Sequence, residues 1–213
     1  EVSLVWFVSY KLTGAHDIIN INRDNMKNVS LGLYIIATPI GNLGDISKRA
    51  VEIIRASNFI ICENPKHSLK LLNNLGIKKK LISLHDYNEN IVVDRISKDL
   101  KESLSVLISD AGSPLISDPG YKLVQYCIKN KINITSVPGP SSLIPALQLS
   151  GLPLNEFSFI GFLPKTKKHI DDFIEKNMKS EKTIIFFVSS HKVLECLNAI
   201  EKNASDRIIA VSK

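Results

Sequence analysis

The amino-acid sequence predicts an α/β fold with two domains, and three observations support this. Its 213 residues include 44% apolar and 23% charged residues, which is ordinary for a globular protein long enough to bury a core. Apolar runs alternate with amphipathic segments in a βαβα rhythm, which is typical of helices packed on a sheet. The residue composition changes near residues 151–155, where we expect a boundary between domains.

The first half of the chain is expected to form five strands separated by helices. LYIIAT at 33–38 reads as a continuous buried strand, and further strands are expected at 58–63, 81–85, 106–110 and 132–137. The helices are expected after Asp45 (as the N-cap, with Ile46, Ala50, Ile53 and Ile54 on one face), at 68–76, at 90–102, at 119–130 and from Ser141 to Gly151. Pro145 is tolerated because it falls within the first turn of the last helix.

The second half reads as a smaller and incomplete domain. FSFIGFLP and the polar run KTKKH (165–169) are expected to form the crossing between domains. A helix with Ile170 and Ile174 inside, the strand TIIFFVSS, a helix from Val193 and the start of a strand in RIIAVSK follow. We therefore divide the chain into an extension at 1–30, a domain at 31–155 and a domain at 156–213. Because the first methionine is Met26, we expect the natural protein to start there, with a genuine flexible arm at 1–25 as the alternative.

The cysteine content, the apolar runs and the net charge bear on which classes of protein this chain can belong to. Cys62, Cys127 and Cys196 are widely spaced and odd in number, which argues against a disulfide framework or a zinc site and favours the reducing cytoplasm. No apolar run is long enough for a membrane span. The net charge of +6 is compatible with a nucleic-acid partner, although a general lysine bias explains it equally well.

Four loops rich in glycine and proline each follow a predicted strand. They are TPIGNLGD (38–45), CENPKHS (62–68), SDAGSP (109–114) and VPGPSS (137–142). The carboxyl ends of strands are where open α/β sheets bind ligands, so the four loops together predict a small-molecule pocket. The dinucleotide, P-loop, zinc-protease and nucleophile-elbow motifs are absent from the sequence.

Two similar acidic turns, SDAG and SDPG, lie eight residues apart and predict different roles. Asp110 ends a strand at the expected pocket, while Glu63 ends a neighbouring strand, although either acid is also suited to capping a helix or turn. Asp118 precedes Pro119 and an amphipathic segment, which is the pattern of an N-cap with proline at the first helical position.

The blocks LYIIATPIGNLGDIS, ISDAGSPLISDPG, VPGPSS, SGLP and GFLP, in this order, resemble the family of ribosomal RNA small subunit methyltransferase I. The resemblance runs from about Leu33 to Lys213 and implies a tetrapyrrole-methylase fold with the cofactor, S-adenosylmethionine, in the cleft between two domains. It also implies a homodimer that methylates the 2′-hydroxyl of a cytidine in 16S rRNA of the small ribosomal subunit.

The resemblance assigns roles to particular residues. Those implied to bind the cofactor are Pro39, Gly41, Asp110, Gly112, Ser113, Pro138, Gly139, Ser141 and Ser142. Asp110 and Glu63 are the candidate catalytic carboxylates, because a ribose hydroxyl needs a general base and methyl transfer from a sulfonium needs no metal. Lys165, Lys167 and Lys168, with His169, are candidates for RNA phosphate contacts, or else a solvated linker.

The sequence departs from the family pattern at two loops. Glu63-Asn64-Pro65-Lys66 replaces the usual Glu-Asp-Thr-Arg, and Val188-Ser189-Ser190 replaces Tyr-Glu-Ser before His191-Lys192. Two alternatives therefore stay open, namely a methylase of tetrapyrroles and a truncated relative that binds RNA or cofactor without catalysis. The first is less favoured because tetrapyrrole methylases usually carry a G-x-G-x-G-D type of first loop.

Overall fold

Parallel strands form the centre of the protein, as described by a computed structural model for residues 29–213. Five strands pair in the order β3-β2-β4-β1-β5, and all of them are parallel. Their bounds are β1 Gly32–Ile36, β2 Phe59–Cys62, β3 Lys80–Ser83, β4 Leu104–Ile108 and β5 Ile134–Val137. The five strands expected from the apolar runs are thus confirmed, while the expected extension at 1–30 lies almost entirely outside the described residues.

Helices cover both faces of this sheet. They are α1 Lys48–Ala56, α2 Pro65–Asn74, α3 Glu89–Glu102, α4 Tyr121–Lys129 and α5 Leu143–Leu149. Residues of α1 and α2 pack in the core on one face, while α3 and α4 pack in the core on the other. The neighbouring strands β1 and β4 are therefore followed by helices on opposite faces. Such a switch point opens a crevice at the carboxyl edge of a parallel sheet.

A second, two-stranded sheet lies in the C-terminal part of the chain. Strands β6 Phe157–Phe162 and β7 Thr183–Phe187 pair in parallel, and α6 Lys167–Asn177 and α7 Val193–Asn203 pack together over a small core that includes Ile170 and Ile174. The segment FSFIGF is therefore a strand, and the expectation of an interdomain crossing there is wrong.

The end of the chain corrects a second expectation. Residues 208–213 form no strand, and the side chain of Ile208 is 82% exposed. A strand requires a hydrogen-bonded neighbour, and no described strand pairs with this segment. The apolar pattern of RIIAVSK alone was not enough to make one.

Two helices begin at other residues than the sequence predicted. Asp45 is not the cap of α1 but ends a short 3₁₀ turn, and the hydroxyl of Ser47 accepts the Ala50 N–H instead. Helix α2 starts at Pro65, because the Asn64 side chain accepts the N–H groups of the first turn. The Asn64 side chain thus provides the helix cap at a position where the family usually has aspartate.

Asp118 is likewise not a helix cap. The N-cap of α4 is Gly120, with φ of 126°, and no side chain of this loop caps the helix. The Leu123 N–H instead donates to the buried carboxylate of Glu89, at 3.0 Å. A carboxylate 34 residues earlier in the chain therefore does what the local sequence assigned to Asp118.

Candidate functional site

Three of the four predicted loops are joined by hydrogen bonds at the carboxyl edge of the large sheet. Thr38 and Gly112 exchange two backbone hydrogen bonds of 2.9 Å, and the Thr38 hydroxyl donates to the Ser109 carbonyl at 3.1 Å. The Ser113 hydroxyl donates to the carbonyl of Pro140 at 3.3 Å. The loops after β1, β4 and β5 therefore form one connected structure.

Glycines allow these loops to approach each other. Gly112 has φ of +79°, a conformation that side chains disfavour. A Cβ atom on Gly139 would lie 3.0 Å from the Cβ of Ala37, so a larger residue would push the β5 loop away from β1. Gly41, with φ of +146°, has open space beside it. Two of the three glycines thus serve loop packing, and Gly41 leaves room at the surface.

A cavity of about 1240 Å³ lies between the loops of the large sheet and the small sheet. Of the predicted cofactor residues, Gly112, Ser113, Ser141 and Ser142 line it. Pro39, Gly41, Asp110, Pro138 and Gly139 belong to the same loops but do not line the cavity. Asp118 also lines it, on the side of the large sheet, although the sequence had predicted a different role for this residue.

The predicted catalytic acids are electrostatically coupled to each other and to Asp118. The end of β2, which precedes Glu63, pairs with the end of β4, which precedes Asp110. Glu63 is largely exposed as a residue. The pKa of its carboxyl group is nevertheless raised, first by partial burial of that group and then by the charges of Asp110 and Asp86. One carboxylate oxygen of Asp110, Oδ1, is buried and has no hydrogen-bond partner among the described residues. Such an atom calls for a donor that the described residues do not supply.

Asp118 is the most strongly perturbed of these acids. Burial, and then the charges of Glu63 and Asp110, raise its pKa from the ordinary 3.8 to about 6. The Ser109 hydroxyl opposes the rise, but its single proton also reaches the Gly112 carbonyl at 2.9 Å. Perturbed carboxylates in a cavity are typical of functional sites.

The three cysteines form no disulfide. All are buried and free, as the sequence predicted, and burial raises the pKa of the Cys127 thiol to about 12. In residues 29–213 no group of three or more His, Cys, Asp or Glu side chains is placed to hold a metal ion. Within the same range, none of the helices has the length and apolarity that a membrane crossing requires.

The predicted RNA-contacting lysines lie apart from the cavity lining. Lys165, Lys167 and Lys168 are exposed at the start of α6, whose N-cap Thr166 makes no side-chain capping bond. Cations at a helix N-terminus oppose the helix dipole, so these side chains do not stabilise α6 itself. Their role in RNA contact stays a prediction.

The fold and the site are those of an α/β protein with a crevice at the switch point of a parallel sheet, which is the place where ligands bind in such sheets. The chain belongs to the family of Tetrapyrrole (Corrin/Porphyrin) Methylases, because the model of that family matches residues 32–213. The chain is similar in structure to a crystal structure of diphthine synthase, with a TM-score of 0.63 and a sequence identity of 14%. The match covers 83% of this chain and 73% of the diphthine synthase chain. At this identity the likeness concerns the fold alone, and it confirms the predicted fold class.

Curated relatives confirm the family resemblance read from the sequence. A protein of Xylella fastidiosa strain Temecula1, named Ribosomal RNA small subunit methyltransferase I, is 45% identical over 84% of this chain. Proteins of the same name from Pasteurella multocida and Buchnera aphidicola are 40% and 42% identical over 88% and 85% of this chain. The chain spans 66%, 68% and 64% of the lengths of these three relatives.

Proposed function

We propose that this chain belongs to an S-adenosylmethionine-dependent methyltransferase that methylates the ribose 2′-hydroxyl of a cytidine in 16S rRNA of the small ribosomal subunit. The observation that carries the proposal is the cavity at the switch point, lined by Gly112, Ser113 and Ser141 of the loops that carry the family resemblance. The names of the relatives support the rRNA substrate. We place the cavity between a domain at 31–155 and a domain at 156–213.

The residues at the cavity fit the proposed cofactor. A cavity of about 1240 Å³ is large enough for a small ligand, because a typical small-ligand pocket measures roughly 300–1,000 Å³. Asp110 does not line the cavity, but its loop does through Gly112 and Ser113, and we propose its buried, unpartnered Oδ1 as the acceptor for a hydroxyl or ammonium group of the cofactor. Ser113, Ser141, Ser142 and the backbone around Gly41 and Gly139 complete the proposed cradle. When bound, the cofactor supplies a methyl group on a positively charged sulfur.

The chain contributes position and charge to the reaction. The connected loops hold the two reactants together, and alignment of this kind is the main source of acceleration in a displacement at carbon. The carboxylates of Asp110 and Glu63 also favour positive charge in the cavity. We retain Asp110 as a cofactor residue, and Glu63, because it is largely exposed, on the substrate side.

The RNA side of the proposal rests on charge. The chain carries a net charge of +6, and Lys165, Lys167 and Lys168 are exposed at the start of α6. Contacts from such lysines to phosphates would position the RNA without reading its sequence. We further propose that the protein acts in the cytoplasm as a homodimer.

The proposal is tested by incubating the purified protein with methyl-labelled S-adenosylmethionine and small ribosomal subunits that lack the modification. Label in the rRNA is the expected result. Cofactor binding without any label in RNA would favour the non-catalytic alternative. A parallel reaction offers a tetrapyrrole in place of the subunits, and label found only there would favour a tetrapyrrole methylase. An Asp110→Ala variant should lose cofactor affinity in calorimetry, and normal affinity would contradict the role given to Asp110.

A further inference from the structure

Asp118 has no structural role in the helix that follows it. Gly120 is the N-cap of α4, and the Leu123 N–H is satisfied by Glu89. The carboxylate of Asp118 instead lies beside the Ser109 hydroxyl, on the wall of the cavity. A half-buried acid with no capping role therefore faces the site of the proposed reaction.

The loop that carries Asp118 is held in a costly conformation. Leu115 and Ser117 have φ of 72° and 67°, in the left-handed region that residues other than glycine rarely adopt. A Cβ atom on Gly120 would lie 2.9 Å from the Leu107 side chain, so only glycine fits at the end of the loop. Backbone strain of this kind persists where the surrounding structure fixes a functional geometry.

We propose that Asp118 accepts the proton of the ribose hydroxyl during methyl transfer, as a catalytic residue in addition to those predicted from the sequence; this inference rests on the proposed function. As the hydroxyl oxygen forms its bond to the methyl carbon, the bond from that carbon to sulfur breaks and both its electrons go to sulfur. The hydroxyl proton goes to the carboxylate of Asp118. Charge and atoms balance, since a cationic sulfonium becomes a neutral thioether and an anionic carboxylate becomes an acid.

The position of Asp118 favours it over the other two acids. Neither Glu63 nor Asp110 lines the cavity, whereas Asp118 does. The like charges of Glu63 and Asp110 make Asp118 a stronger proton acceptor than an isolated aspartate, because they raise its pKa after burial has done so. A general base works best when its pKa is close to the working pH.

Four cations line the cavity, namely Lys179, Lys182, Arg207 and Lys213, and none of them is among the groups that shift the pKa of Asp118. Lys179 pairs with Glu175 and Lys182 pairs with Glu156, both at the surface. Arg207 donates to backbone carbonyls, among them that of Met178. The charged groups that raise the pKa of Asp118 are thus Glu63, after the end of β2, and Asp110, after the end of β4. The uncharged Ser109 hydroxyl lowers it.

The test compares the protein with its Asp118→Asn variant in single-turnover methyl transfer to small subunits between pH 5 and 8.5. For the unmodified protein we expect the rate to rise about tenfold per pH unit up to about pH 6 and then level off. The variant should transfer methyl at least about 100-fold more slowly, the scale of a lost general base, with a cofactor affinity in calorimetry within about twofold of the original. Asp94→Asn, on an exposed turn of α3, is the matched control and should match the unmodified protein in rate and affinity.

Each outcome decides one of the two proposals. If the unmodified protein transfers methyl and Asp118→Asn transfers it within about fivefold of the same rate, the role of Asp118 is wrong while the proposed function stands. If Asp118→Asn loses cofactor affinity in parallel with its rate, Asp118 holds the cofactor and does not accept the proton. If the unmodified protein binds cofactor but transfers no methyl to rRNA, the proposed function is wrong, and the role of Asp118 falls with it.

Discussion

Replacing Asp118 by asparagine should stabilise the protein, and only at neutral and basic pH. The folded state raises the pKa of this carboxyl from 3.8 to about 6. Below 3.8 the carboxyl is protonated in both states and has no effect on stability. As the pH rises towards 6 the unfolded chain releases the proton while the folded chain retains it, so the free energy of unfolding falls. Above 6 the loss is complete.

The size of this effect follows from the same shift. A rise of this extent corresponds to about 3 kcal/mol at pH 8, and solvent screening of a half-buried group reduces the figure to about 1–2 kcal/mol. Asparagine carries no charge at any pH, so Asp118→Asn should be more stable than the unmodified protein by about that amount at pH 8 and by under about 0.5 kcal/mol at pH 4.

Urea unfolding followed by circular dichroism at pH 4, 6 and 8 measures this difference. The control is Asp94→Asn, whose carboxylate is exposed and which should show no such pH dependence. Equal stability of Asp118→Asn and the unmodified protein at pH 8, or an equal gain at pH 4 and pH 8, would refute the reasoning. Either result would mean that burial and the charges of Glu63 and Asp110 do not raise the pKa of Asp118 in the folded state.

Substitutions at two further positions, Gly120 and Asn64, test how the loops around the site are built. Gly120→Ala should lower the free energy of unfolding by about 1–3 kcal/mol, because φ of +126° and the 2.9 Å approach of Leu107 both disfavour a Cβ atom; an unchanged urea midpoint would show that the loop relaxes freely. Asn64→Ala should cost about 1 kcal/mol through the lost cap of α2, while Asn64→Asp should cost less than about 0.5 kcal/mol because its carboxylate accepts the same N–H groups. Equal losses in the two Asn64 variants, measured in the same urea experiment, would contradict the capping assignment.

The strands β1, β2 and β4 were predictable because each is a largely apolar run buried in a parallel sheet, and a run of this kind is itself typical of such a strand. The segment RIIAVSK shows the limit of that signal. It is as apolar as several true strands, but strand formation also depends on a neighbour that local sequence does not specify.

The site was predictable in its loops but not in its acids. Loops rich in glycine and proline after strands indicated the carboxyl edge, and three of them meet there. Asp118 was misassigned because an acid followed by proline is a strong local signal for a helix start. The competing fact, that the buried carboxylate of Glu89 takes the Leu123 N–H, is a contact between residues 34 positions apart and is invisible to local patterns.

The identity of the methylated nucleoside tests the central claim most directly. After reaction with small ribosomal subunits that lack the modification, the 16S rRNA is digested to nucleosides and analysed by mass spectrometry. The account predicts that the protein produces 2′-O-methylcytidine, and that no product forms when the cofactor is left out. Methyl groups found on bases, or no methylated nucleoside despite a bound cofactor, would contradict it.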